Sequence, residues 1–175
     1  TLRNNRAEMT DFGAVVTNTY GWLKFFHTLL SGYIIAAFFV MGISAYHLLK
    51  KNDLTFFKRS FKAAATFGLL SSLLIFLAGD FHAAEVAKTQ PTKFAAMESV
   101  WDTKQGAAYN LIVIPDPANE RNAIEAIGIP KLMSFLAFGD GQATVKGLKE
   151  YPAGERPPVM ATFVSFRIMI VFGLL

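Results

Sequence analysis

From Thr28 to Tyr46 the sequence carries no charged side chain. Joined to Trp22–His27 before it, this stretch exceeds the ~20 apolar residues that cross ~30 Å of hydrocarbon as a helix. Tyr20 and Trp22 stand where an interfacial aromatic belt holds the entry of such a helix. A second apolar stretch, 63–79, is near the lower length limit for a span, ~17 residues. Its Ala64, Gly68 and Ser72 recur every four residues and predict a close-packing helix face. A third runs from Val159 to Leu175. Only 17% of the chain is charged and 53% is hydrophobic, against about 25% charge in soluble domains, so a water-soluble globule is excluded. Cysteine is absent, which excludes disulfides, thiolate metal sites and cysteine nucleophiles. The net charge of +4 is not gathered into an aromatic-interleaved basic patch, so nucleic acid is not an expected partner. The chain starts without methionine and stops inside an apolar run. It is expected to be a piece of something longer.

All prolines fall between Pro91 and Pro158 and separate clean apolar stretches from one irregular segment. The fold class expected is therefore an all-α membrane protein: a transmembrane helix bundle fragment with three spans and a long extracytoplasmic loop. Lys50, Lys51, Lys58, Arg59 and Lys62 crowd the link between the first two spans, and the positive-inside rule makes that link cytoplasmic. The expected organisation is an outer segment 1–19, a span 20–49, a cytoplasmic loop 50–60, a span 61–79, an outer loop 80–157 and a span 158–175. In the outer loop acidic residues slightly outnumber basic ones. It is too long and too punctuated by Pro and Gly for a plain connector, so it should hold a fold of its own.

Three side chains are polar or metal-binding at depth. His27 lies ~12 Å into the first span, and Arg167 and Met169 lie ~14 to 16 Å into the third, at 1.5 Å per helical residue. Imidazole and thioether are donors that suit haem iron, and a buried arginine needs an anion such as a haem propionate. Equally, a lone membrane histidine serves as a helix-to-helix hydrogen-bonding residue, and Met packs cores without further purpose. Both readings stay open on spacing alone. His47 and His82 sit near span ends and are expected at interfaces.

In the outer loop, Lys93-Phe-Ala-Ala-Met-Glu98-Ser-Val-Trp101 reads as a helix with Phe94, Met97 and Trp101 in one apolar stripe. Lys93 and Glu98 then flank that stripe, each about 70° from its centre. A lipophilic ring arriving from the bilayer can meet an acid and a base there, and any interfacial helix also shows charged borders.

Taken together, Lys24-Phe-Phe-His27-Thr, Ser31-Gly-Tyr33, Gly42-Ile-Ser-Ala45, Lys58-Arg-Ser-Phe61, Gly79-Asp80, Gln90 to Trp101 and Phe166-Arg167-Ile-Met169 resemble subunit I of the cytochrome bd quinol oxidases. The resemblance runs from about Arg6 to Leu175 and is weakest over 110–156. It implies that His27 and Met169 are the axial iron ligands of a low-spin haem b, that Arg167 stands beside this haem, and that Lys93 and Glu98 act in quinol oxidation. The family's high-spin haem b and haem d take their ligands from spans outside this sequence. The segment from Trp101 to Pro158 is that of a short quinol-loop form, and Phe81-His82 replace the small and acidic residues that often follow Gly79-Asp80.

The function implied is the quinol-oxidising, haem-carrying part of a quinol:oxygen oxidoreductase, inactive as an isolated fragment. Ubiquinol or menaquinol, oxidase subunit II and the lipid of a bacterial plasma (inner) membrane are the partners, with the chain crossing it several times. The competing class is a non-enzymatic transporter, or a haem b anchor fragment, in which His27 and Arg167 line a polar pathway. An anchor holding two haems calls for paired histidines on facing helices, and the deep positions of the second span, Thr66 to Phe76, hold none.

Overall fold

The computed structural model describes residues 2–3 and 6–174. It separates into two compact units, one up to His82 and one from Ala83 onward.

The first unit opens with a short antiparallel pair, β1 (Leu2–Arg3) and β2 (Arg6–Ala7), and a one-turn helix, α1 (Phe12–Val16). Asn18 then caps α2 (Thr19–Leu49), its side-chain oxygen accepting from the Gly21 amide at 3.1 Å. At 1.5 Å per residue α2 is about 46 Å long. After a tight turn, Asp53 accepts from the Phe56 amide and α3 (Leu54–Thr89) begins. The stretches Phe12–Leu49 and Leu54–Thr89 are long and apolar enough to cross a membrane.

Small residues let α2 and α3 approach. Ala37 and Ser44 are buried on α2, and Ala64, Gly68 and Ser71 on α3. The hydroxyl of Ser44 donates to that of Ser60 at 2.9 Å, and a Cβ on Gly68 would stand 3.0 Å from that of Ala37. The pairings 44/60, 37/68 and 27/79 make the two helices antiparallel. The expected small-residue face is present, with Ser71 more buried than Ser72 because 3.6 residues per turn follows i+4 with i+3. The large side chains point away from this seam: Phe25, Phe38, Phe39, Leu69, Leu73 and Phe76 are all exposed. That is the reverse of a soluble helix pair.

The helix α3 is longer than the apolar stretch that announced it. Its final turns contain Ala83, Ala84, Glu85, Ala87 and Lys88, good helix formers without being a hydrophobic run. Gln90-Pro91 ends it, and Pro91 is the first residue of α4 (Pro91–Glu98).

The second unit corrects the all-α expectation. Strands β4 (Tyr109–Asp116) and β5 (Arg121–Ile129) form an antiparallel hairpin, with Ile114 opposite Ile124 and a register shift at Ile114/Pro115. A smaller pair joins β3 (Lys104–Gln105) to β6 (Thr144–Val145), and α5 (Leu132–Phe138) lies between β5 and β6 in sequence. Last comes α6 (Val159–Leu174). Ala95, Ala96, Trp101, Leu148 and Val159 form the core of this unit, so α4 packs against the start of α6.

Candidate functional site

Two residues to which the sequence assigned separate roles, Glu98 at the quinol and Arg167 at the haem, meet in the second unit. Glu98, the last residue of α4, is only 6% exposed. Its Oε2 accepts from Nη2 of Arg167 on α6 at 2.8 Å. The same guanidinium donates through Nη1 to the Tyr109 hydroxyl at 3.1 Å and through Nη2 to the Asn110 carbonyl at 3.3 Å. The rings of Tyr109 and Phe163 lie 5.1 and 5.2 Å from its central carbon, close enough for cation–π attraction. Arg167 thus obtains its counter-charge from Glu98. The haem propionate expected in that role is not required to neutralise it, although the buried Nε, without a hydrogen-bond partner among the described residues, leaves one donor for a further acceptor.

Burial pushes the Glu98 carboxyl up to about 7, and the Arg167 guanidinium pulls the other way. Desolvation disfavours the charged carboxylate more than one cation restores it. The Tyr109 hydroxyl is also pushed up, first by its own burial and then by the negative charge of Glu98. Arg167, Tyr109 and Glu98 therefore form a shielded acid–base cluster whose carboxyl changes charge near neutrality.

The apolar stripe expected on the helix is corrected. Ser99 adopts a left-handed conformation, φ 54°, and ends α4, so Trp101 is not on the same helix as Phe94 and Met97. Phe94 and Trp101 are both buried. Lys93 and Glu98 are not matched borders of one surface: Lys93 is exposed and Glu98 is in the interior. The left-handed Ser99 redirects the chain inward, which periodicity alone could not foresee.

His27 lies in the first unit. It faces Gly79 of α3, where a Cβ would come within 3.6 Å of its Cε1. The ring of His82 is 5.8 Å away, and His82 in turn meets Tyr20 edge-on at 5.3 Å. Nδ1 of His27 is buried without a hydrogen-bond partner among the described residues. Met169 lies on α6 and is half exposed. Two residues after Arg167 it is about 200° around the helix, so the two side chains leave α6 in different directions. His47, at the far end of α2, stacks on Phe57 at 4.3 Å. Among the described residues no group of three or more His, Asp or Glu could hold a metal ion.

These residues fit the implied haem by their chemistry: an imidazole with an unsatisfied buried nitrogen, an accessible thioether, and an arginine with a spare buried N–H. Sequence reasoning missed Tyr109, Asn110 and Asn122, which hold the acid–base cluster or its flank. Their only signal is a polar residue at the start of each of two aliphatic runs, too weak to single out.

A family model described as cytochrome bd terminal oxidase subunit I matches residues 1–175. The cytochrome bd ubiquinol oxidase subunit 1 of Bacillus subtilis (strain 168) is 40% identical over 99% of this chain and 39% of its own length. The cytochrome bd-II ubiquinol oxidase subunit 1 of Escherichia coli (strain K12) is 37% identical over 94% of this chain and 32% of its own. Among solved structures, the bd oxidase from Geobacillus thermodenitrificans superposes with a TM-score of 0.85 at 27% identity, covering 99% of this chain and 40% of that one. The chain spans between 32% and 39% of the length of these curated relatives. With its ordered spans, its buried carboxylate and a match over its whole length, the chain belongs to the cytochrome bd terminal oxidase subunit I family.

Proposed function

We propose that this chain is the quinol-oxidising, haem-b-carrying section of a cytochrome bd-type terminal oxidase, which passes electrons from membrane ubiquinol or menaquinol towards oxygen. The observation that carries the reading is Glu98, a carboxyl buried beside Arg167 with its acidity near neutral pH. Oxidising a quinol releases two protons with two electrons. A general base works best when its pKa lies near the working pH, and burial has brought Glu98 there. Glu98 takes a quinol proton, and the Arg167 guanidinium stabilises the carboxylate that must be regenerated. Lys93, exposed five residues earlier on the same helix, orients a quinol oxygen with its ammonium.

His27 and Met169 would hold a low-spin haem b, and the spare N–H of Arg167 would be available to an anionic group of that cofactor. When bound, this group supplies one-electron acceptance near the quinol. A high-spin haem b and haem d belong to parts of subunit I outside this sequence, and oxidase subunit II completes the assembly. We place the chain in a bacterial inner membrane, with α2, α3 and α6 as three spans. The basic turn around Lys50–Lys62 faces the cytoplasm and the segment 80–157 lies outside, so protons leaving Glu98 enter the outer phase.

The test is Glu98→Gln in the complete oxidase. Quinol oxidation should fall about 100-fold or more. Oxygen reduction fed by an artificial electron donor and the reduced haem spectra should persist. Equal loss of both activities would reject the assignment.

A further inference from the structure

Glu98 owes its position to the residue after it, and that residue is held from the hairpin. Ser99 is 1% exposed, and its φ of 54° is unusual for a side chain other than glycine, asparagine or aspartate. A conformation of this kind persists only where its surroundings over-determine it. Asn122, on β5, supplies those surroundings. Its Oδ1 accepts from the Ser99 hydroxyl at 2.6 Å and from the Trp101 indole N–H at 3.1 Å. Its Nδ2 donates to the Ser99 carbonyl at 2.9 Å and to Oε1 of Glu125 at 2.6 Å. The amide thus uses both donors and both acceptor sites.

The brace continues to the other half of the ion pair. Oε2 of Glu125 accepts from Nδ2 of Asn110 at 3.2 Å, and the carbonyl of Asn110 accepts from Arg167. One side of the hairpin therefore fixes the chain next to Glu98, and the other fixes Arg167. Shifting the hairpin would move both charges.

We propose that Asn122 is the positioning residue of the proton-accepting site: through Ser99 and Trp101 it holds Glu98 in the interior against Arg167. This rests on the reading of Glu98 as the quinol's proton acceptor. Asn122 touches neither the carboxylate nor the quinol and acts through the backbone that presents Glu98. The titratable and charged groups facing Glu98 are Arg167 from α6 and Tyr109 from β4. In the 3-10 turn that also packs on α4, Lys149 is engaged by Asp102, and Glu150 accepts from Thr103. Releasing Ser99 loosens the end of α4 and admits water, and a hydrated carboxyl returns towards its ordinary acidity.

In the complete oxidase, Asn122→Ala should lower quinol oxidation by about tenfold to a hundredfold, the scale of a small misplacement of a reacting group. The acid limb of the pH profile should move down by about one unit. Haem spectra and oxygen reduction from an artificial donor should not change. An acid limb that stays in place, with or without lost activity, overturns the positioning role.

Asn122→Asp keeps the acceptors for Ser99 and Trp101 but sets an oxygen against both the Ser99 carbonyl and the Glu125 carboxylate, and should do more harm than alanine. Adding Glu125→Gln removes the carboxylate–carboxylate contact, though not the one with the Ser99 carbonyl, and should recover part of the activity. A double variant no better than Asn122→Asp alone also overturns the proposal, and this comparison decides if the alanine variant fails to assemble. Glu98→Gln measured alongside separates the two ideas. Full quinol oxidation in that variant removes the functional reading itself. Loss there, with an unmoved acid limb in Asn122→Ala, removes only the role of Asn122.

Discussion

Among the described residues the Arg167 guanidinium is the cation paired with Glu98, and its removal separates two effects. Taking one partner from a buried ion pair costs about 3–5 kcal/mol if the other must stay charged. A carboxyl escapes most of that cost by keeping its proton. In Arg167→Gln, Glu98 should therefore hold its proton to a pH above its present value of about 7. A base must be ionised to act, so the acid limb of quinol oxidation should move to higher pH. Activity at pH 7 should fall about tenfold or more and recover in part in alkaline buffer. A uniform loss at every pH would point to a damaged fold instead. The linkage to stability has the same sign: the folded carboxyl binds its proton more tightly than an ordinary glutamate, whose pKa is 4.5, so Glu98 makes the fold less stable as pH rises from about 4.5 to about 7. In the sequence, Glu98 and Arg167 were each visible as charges in apolar surroundings. Their pairing was not, because 69 residues separate them and no local period connects residues so far apart.

Among the elements, the helices were legible because the bilayer demands long charge-free runs, and a small-residue repeat marks the face where two of them meet. Gly68 tests that face. A Cβ there would already sit 3.0 Å from Ala37, so Gly68→Leu must force α2 and α3 apart. Overpacking of this kind typically costs 1–3 kcal/mol. It should lower the melting temperature and low-spin haem content of the purified oxidase, whereas Leu73→Ala on the exposed side of α3 should leave both nearly unchanged. Equal effects of the two changes would refute the α2–α3 seam. The hairpin was illegible for the opposite reason. Leu111-Ile-Val-Ile114 is a continuous apolar run without alternation, and Pro115 interrupts it at the register shift. Periodicity cannot distinguish such a run from a buried helix segment. The ends of α3 escaped for a third reason: hydropathy marks where a helix is apolar, and alanine, glutamate and lysine extend it beyond that point.

For the whole molecule, the direction of proton release depends on which side of the membrane holds Glu98, and a single accessible thiol can report it. These 175 residues contain no cysteine, so a cysteine introduced among them is the only thiol in this segment, and the variant is compared with the unmodified parent. Ala118 lies in the exposed turn that joins β4 to β5, where a cysteine side chain is accessible. On the proposed topology the turn that carries the five basic residues is cytoplasmic and the hairpin lies outside. Lys51→Cys, in the α2–α3 turn, provides the opposite marker. In intact cells from which other labelled proteins have been separated, a membrane-impermeant maleimide should label Ala118→Cys and spare Lys51→Cys. In inverted vesicles the pattern should reverse. Labelling of Ala118→Cys from the cytoplasmic face would turn the whole arrangement over: Glu98 would then return its protons to the side that supplies oxygen reduction, and quinol oxidation in this segment would build no membrane potential.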